Sequence, residues 1–203
     1  MIGIDLIPPL AGVAAIVTAA YLVYYILSKP AGTDRMQELS DSIYQGAMTF
    51  LNEEYRVITV FIIVVMGILL AISQATGDLP WESSLSFLVG AVFSALAGNI
   101  GMRIATRSNA RTAEGVKRHF MEGLRIAFSS GAVMGLSVTV LGIIGVSLFY
   151  WLYEGHADVS SILFSFGFGA SSIALFARVG GGIYTKSADV GADIVGKVEE
   201  GIP

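Results

Sequence analysis

Six charged residues in one short stretch carry the chemistry open to this sequence. From Arg178 to Glu199 the chain reads RVGGGIYTKSADVGADIVGKVE, placing three cations (Arg178, Lys186, Lys197) and three carboxylates (Asp189, Asp193, Glu199) within 22 residues. If the stretch is helical, about 100° per residue puts Arg178, Lys186, Asp189, Asp193 and Lys197 inside an arc of roughly 100°. Two carboxylates four residues apart repel each other on a bare helix. Divalent cations held between them and a partner group make sense of that arrangement. Hard cations such as Mg2+ take carboxylate oxygens together with substrate phosphate, and Lys186 and Arg178 suit phosphate oxygens. Glu199 falls about 140° from Lys186 on an ideal helix. Either the helix bends or ends before it, or Glu199 faces a different part of the site. A plainer alternative stands beside this one. The spacing of Asp189, Asp193 and Lys197 also suits intrahelical pairs at an ordinary charged helix end.

One motif in the stretch misleads. Gly180 to Ser187 reads GGGIYTKS, close to the phosphate-binding pattern GxxxxGK[ST]. Thr185, not Gly, precedes Lys186, and the preceding segment is a membrane-length apolar run rather than a buried strand, so the motif's required context is absent.

The elements around the stretch belong to a membrane protein. The chain is 54% hydrophobic and only 14% charged, with a mean hydropathy of +0.72; soluble domains carry about 25% charged residues. There is no Cys, which excludes disulfides, thiolate metal sites and a cysteine nucleophile. His119 and His156 lie too far apart in sequence to suggest a His-based metal centre. Met1 to Asp5 holds no Lys or Arg, so the first apolar run reads as a retained helix rather than a cleaved signal. Five segments meet the length of about 20 apolar residues for a span: roughly 10–27, 57–75, 85–105, 130–153 and 161–185, the last with an extension to about 199. Pro8 and Pro9 suit the start of the first. Gly180, Gly181 and Gly182 weaken the extension of the fifth, at about 1 kcal/mol each relative to Ala.

The cations sort completely. Lys29, Arg35 and Arg56 lie between spans one and two, and Arg103, Arg107, Arg111, Lys117, Arg118 and Arg125 between or at the edges of three and four. Arg178, Lys186 and Lys197 end span five. The other connecting segments hold only acids: Asp5, Asp78, Glu82, Glu154 and Asp158. By the positive-inside rule the N-terminus lies outside and the charged stretch lies in the cytoplasm.

The first inner segment, 32–55, repeats Met36, Leu39, Ile43, Ala47, Phe50 and Leu51 at helical spacing, predicting an amphipathic helix that joins the second span. The second, 102–126, mixes six cations with Ile104, Val116, Phe120 and Leu124, which suits contact with lipid headgroups or help in holding an anion. Small residues (Gly90, Ser94, Gly98 and Gly101; Gly131, Gly135, Gly142 and Gly145; Gly167, Gly169 and Ser171) predict close helix packing. No span has an ionisable residue at its centre, where an ion path usually shows itself.

The stretch RVGGGIYTKSADVGADIVGKVEEGIP closely resembles the fifth-helix signature of membrane-integral, ion-translocating pyrophosphatases, whose hallmark is an Asp, seven residues, then Lys-x-Glu: here Asp189, Lys197 and Glu199. Weaker resemblances follow in order along the chain. Residues 46–55 resemble the family's entry to helix two, 98–111 its third-helix exit, and 130–136 its fourth helix.

The resemblance implies an all-α, polytopic bundle that hydrolyses pyrophosphate at its cytoplasmic mouth and moves H+ or Na+ outward, with Mg2+ essential and K+ left open. Carried over by position, Lys186 and Lys197 would bind substrate. Asp189, Asp193 and Glu199 would hold the metal, and Arg178 would serve coupling. Implied partners are pyrophosphate, the pumped ion, the lipid bilayer, the remaining helices of a longer chain and a second copy in a homodimer; no nucleic acid is expected. The implied location is a cell inner membrane.

Family members are several times longer and continue past Gly-Ile-Pro with an acidic stretch and a second Asp-rich helix. The expectation is therefore the N-terminal portion of a larger membrane domain, inactive alone. Two alternatives are a stand-alone five-helix scaffold or binding protein derived from such a pump, and an ordinary solute carrier; the latter is disfavoured by spans without charges.

Overall fold

A computed structural model describes residues 7–77 and 79–202. The acids Asp5 and Asp78, and the cation-free start Met1 to Asp5 on which the reading of the first run as a retained helix rests, lie outside the described residues. Within them the chain forms five α-helices: α1 (Ile7–Leu27), α2 (Asp34–Thr76), α3 (Glu82–Arg118), α4 (Phe120–Leu152) and α5 (Val159–Val198). Each is long and apolar enough to cross a membrane. The fold is thus the expected all-α polytopic bundle.

Local signals explain the helix limits. The Thr33 hydroxyl accepts from the Met36 amide at 3.4 Å, an N-cap that starts α2. Gly77, at φ 71°, ends it in the left-handed conformation. Between them α2 runs unbroken, so the amphipathic segment and the apolar span are one 43-residue helix. Its covered face differs in part from expectation. Ala47 and Leu51 are buried, whereas Leu39 and Ile43 remain 50% and 44% exposed. The segment between α3 and α4 shrinks to His119, whose extended backbone breaks the helix and whose Nδ1 accepts from the Met121 amide at 3.3 Å. This histidine is a helix cap.

Helix α3 is the hub, packing extensively on α4 and α5 and then on α2, while α1 lies against α4. At the crossing of α3 and α5 the two backbones touch. A Cβ placed on Gly90 would run into the carbonyl of Phe166, and one placed on Gly169 would run into the carbonyl of Phe87. The buried Ser86 hydroxyl donates to the Ile162 carbonyl at 2.7 Å beside this crossing. Phe149, Ile162 and Phe166 form a buried cluster that extends the contact to α4. The other small residues divide. Gly101 and Gly145 meet the side chains of Met134 and Phe166, whereas Gly98, Gly131, Gly135, Gly142 and Gly167 have nothing within 4 Å of a built Cβ. Small size marks helix contact at only some of these positions.

The Lys29 ammonium meets Glu122 at 3.2 Å and ties the end of α1 to the start of α4.

Replacing Gly90 by Ala forces two backbones apart, so the thermal midpoint of the detergent-solubilised protein should fall by the equivalent of about 1–3 kcal/mol. Gly167→Ala, in open space, should be neutral or gain up to about 1 kcal/mol through helix propensity. Equal effects of the two changes would contradict the crossing.

Candidate phosphate and metal face of helix α5

Helix α5 passes through Gly180, Gly181 and Gly182 without interruption and ends at Val198. Of that triplet Gly180 packs on α2, whereas Gly181 and Gly182 have nothing within 4 Å of a built Cβ. The Tyr184 ring packs on Phe50 of α2 with centroids 5.1 Å apart. A Cβ built on Gly180 would meet Phe50 Cζ at 3.1 Å and Glu54 Oε1 at 2.5 Å, so α2 approaches closest where α5 lacks a side chain. One and two turns further from the charged end, Ile58 clusters with Ile173 and Phe61 packs on Phe176, centroids 4.8 Å apart. This antiparallel seam packs α5 on α2 from Ile173 to Tyr184, and the charged turns continue from it.

The buried residues of α5 are Ile162, Ser165, Phe166, Gly169 and Ile173. With Lys186 at zero on the helical wheel, they fall at roughly 60° to 160°. Lys186, Asp189, Asp193, Lys197 and Arg178 occupy the other side, and all five are exposed. The charged side of α5 thus lies away from its packed side, and beyond Tyr184 the helix is exposed almost all round, Val190, Ile194 and Val195 included. Glu199 is the C-cap residue just past the helix end. It is exposed as well and stands off that face, so of the two readings of Glu199 the structure supports an ending helix.

No hydrogen bond or ion pair engages the side chains of Arg178, Lys186, Asp189, Asp193, Lys197 or Glu199 among the described residues; the four ion pairs present all lie elsewhere. The intrahelical pair between Asp193 and Lys197 that the spacing permits does not form. Asp189 and Asp193 thus stand one turn apart with free oxygens. They fit two carboxylate ligands of a Mg-phosphate site. Among the described residues there is no group of three or more His, Cys, Asp or Glu able to hold a metal alone. Mg2+ here would take its remaining oxygens from substrate and water or from groups beyond these residues.

Arg178 stands apart from the two Asp. With Phe93, Ser94, Met134, Leu141 and Phe166, among others, it lines a cavity of about 540 Å3 between α3, α4 and α5. A smaller cavity of about 170 Å3, lined by residues of α2 through α5, has Glu54 as its one charged wall residue. Glu54 precedes the apolar run that begins at Val57. Its Oε1 is shielded from solvent and has no hydrogen-bond partner among the described residues, and burial pushes the pKa of its carboxyl up from the ordinary value. Sequence reading passed over Glu54, because one Glu among exposed polar neighbours looks like solvated surface. The usable signal was Gly180, whose missing side chain admits it.

The cations of the second inner segment are partly committed to the protein. Arg103 donates to Asn99 Oδ1 at 2.6 Å and to the Tyr44 hydroxyl at 2.8 Å. The Arg107 guanidinium sits over the Tyr44 ring, 5.0 Å from its centroid. Tyr55 donates to the Ala95 carbonyl at 2.9 Å, adding a second polar tie between α2 and α3.

Comparison with known proteins assigns the chain to a family. The family described as inorganic H+ pyrophosphatase matches residues 13–203. A putative K+-stimulated pyrophosphate-energized sodium pump of Clostridium tetani is 50% identical over 194 residues, covering 96% of this chain and 28% of the relative. A K+-insensitive pyrophosphate-energized proton pump of Methanosarcina mazei is 45% identical over 195 residues, with the same coverage of 96% and 28%. A K+-insensitive proton pump of Pyrobaculum aerophilum is 38% identical over 206 residues, covering 100% of this chain and 29% of the relative. The chain thus spans under a third of the length of these relatives. With a match running from residue 13 to residue 203, the chain belongs to the inorganic H+ pyrophosphatase family.

Proposed function

We propose that the complete protein hydrolyses pyrophosphate and uses the energy to move H+ or Na+ outward across a membrane. This chain contributes the α5 share of the Mg-pyrophosphate site. The observation that carries the reading is the free, outward-turned face of α5, in a chain matched by the family over nearly its whole length. In this reading Lys186 and Lys197 bind phosphate oxygens as compact point charges. Asp189 and Asp193 hold the metal that accompanies pyrophosphate, with Glu199 contributing from the helix end. Mg2+, when bound, neutralises charge on the phosphates as the bridging bond breaks. Arg178 lies two turns away beside the α3–α4–α5 cavity and serves coupling rather than hydrolysis. Relatives named as sodium pumps and as proton pumps both match well, so the proposal keeps both ions.

The charged end of α5 is placed in the cytoplasm, with the N-terminus outside, on the distribution of cations alone. The membrane is proposed to be a cell inner membrane, and the full chain is proposed to pair with a second copy.

The defining measurement is Mg-dependent release of phosphate from pyrophosphate by membranes carrying the full chain. Asp189→Asn should lower kcat/KM by about 100-fold or more, as loss of one electrostatic group in such a site does. Its thermal midpoint should move by less than about 0.5 kcal/mol equivalent, because an exposed residue without partners is changed. Activity that survives the substitution would refute the assignment. Residues 1–203 expressed alone should release no phosphate; clear activity would show that one wall suffices.

Orientation has its own check. In a chain with no natural Cys, Ser187→Cys should react with a membrane-impermeant thiol reagent from the cytoplasmic side and Glu154→Cys from the other. The reverse pattern would overturn the topology.

A further inference from the structure

Glu54 is an acid in an unusual position. Its Oε1 is shielded from water, lies beside Gly180, and accepts no hydrogen bond among the described residues. An ionised oxygen so placed forfeits hydration without gaining a partner. The neighbouring charges do not supply one. Arg56 on the same helix is paired with Glu53 at 2.8 Å on the surface. Arg103 of α3 is committed to Asn99 and Tyr44. The Tyr55 hydroxyl donates to Ala95. On α5, Tyr184 packs its ring on Phe50, and Arg178 leaves the helix about 160° from Gly180. No cation faces the carboxyl from α2, α3 or α5, and a protonated carboxyl resolves the conflict.

We propose that Glu54 is a proton-holding site at the contact of α2 with α5, and that its proton governs how the charged half of α5 seats on α2. With the proton in place, the neutral acid lies against Gly180 and the seam from Tyr184 to Phe176 closes. With the proton gone, the carboxylate gains by reaching water, and it does so by parting α2 from α5 beside Gly180. The seated arrangement binds the proton more tightly than the parted one. Seating is therefore fully supported below the ordinary carboxylate pKa and weakens as pH rises through the raised one. Gly180 lies six residues before Lys186, so parting shifts the phosphate-binding face as a body. That last consequence, for substrate affinity, rests on the reading of the protein as a pyrophosphate-driven pump.

Two measurements on the full chain in membranes test the site without relying on activity. The first is the infrared difference spectrum between wild type and Glu54→Gln, followed as pH is raised. The protonated-carboxyl band lost with the substitution should persist above the pH range in which an ordinary carboxylate titrates; a band that titrates within that range overturns the proposal, as does one lost only when Na+ or K+ is withdrawn. The second uses the pair Phe61→Cys and Phe176→Cys, joined by a short bifunctional thiol reagent. Cross-linking, normalised at each pH to the reagent's rate with a free thiol, should slow as pH rises when Glu54 is present and become independent of pH with Glu54→Gln. An unchanged pH dependence overturns the gating role.

If pyrophosphate is hydrolysed, KM for Mg-pyrophosphate should rise with pH, up to roughly tenfold for each pKa unit by which seating raises the carboxyl. Glu54→Gln should flatten that rise with kcat little changed. A protein that hydrolyses no pyrophosphate refutes the functional reading, while the infrared and cross-linking results still decide the role of Glu54.

Discussion

Contact between two helix backbones at Gly90 and Gly169 sets the frame for everything else. In a bilayer no hydrophobic gain drives helix to helix, because lipid is as apolar as Leu; association comes from close packing and a few interhelical hydrogen bonds. The Gly90–Gly169 crossing supplies the first and the Ser86 to Ile162 bond the second. This contact sets the rotation of α5 about its own axis. Because the buried residues of α5 take one side, the charged residues beyond Gly182 are left on the other. The face that would bind phosphate is oriented by a crossing several turns away.

The α2 seam completes that orientation. A long helix anchored only at its middle is free to splay at its end. The amphipathic half of α2 runs back along α5 and meets it at Phe50 and Tyr184. Polar ties from Arg103 to Tyr44 and from Tyr55 to Ala95 fix α2 to α3 in turn. Helix α3 thus positions α5 both directly and through α2.

Much of this was legible in the sequence, and the reasons for the rest are physical. Hydropathy located the apolar core of each helix, since a span needs a fixed length of apolar chain. The periodicity of 36–51 revealed that α2 extends beyond its span. Yet periodicity could not say that Leu39 and Ile43 stay uncovered while Ala47 and Leu51 are buried, because the covering helix is remote in sequence. The charged face of α5 followed from helical geometry alone, and the absence of an Asp193–Lys197 pair did not. Glycines looked alike in three helices. Only the tertiary arrangement separates Gly90 and Gly169, which touch backbone, from Gly131 and Gly135, which touch nothing. Glu54 stayed hidden for the same reason: its partner, Gly180, is far along the chain. His119, too far from His156 in sequence to suggest a metal centre, is the single-residue corner between two long helices.

The unbroken passage of α5 through its glycine triplet has a mechanical meaning. Forty residues of helix make a rod about 60 Å long, on which Arg178 and Lys186 sit about 12 Å apart. A continuous hydrogen-bonded helix resists stretching and compression along its axis. Sliding or turning at the charged end of α5 is therefore delivered undiminished to the cavity beside Arg178, and the reverse holds equally. Force passes between the two places through a single stiff element, with no loop between them to absorb it.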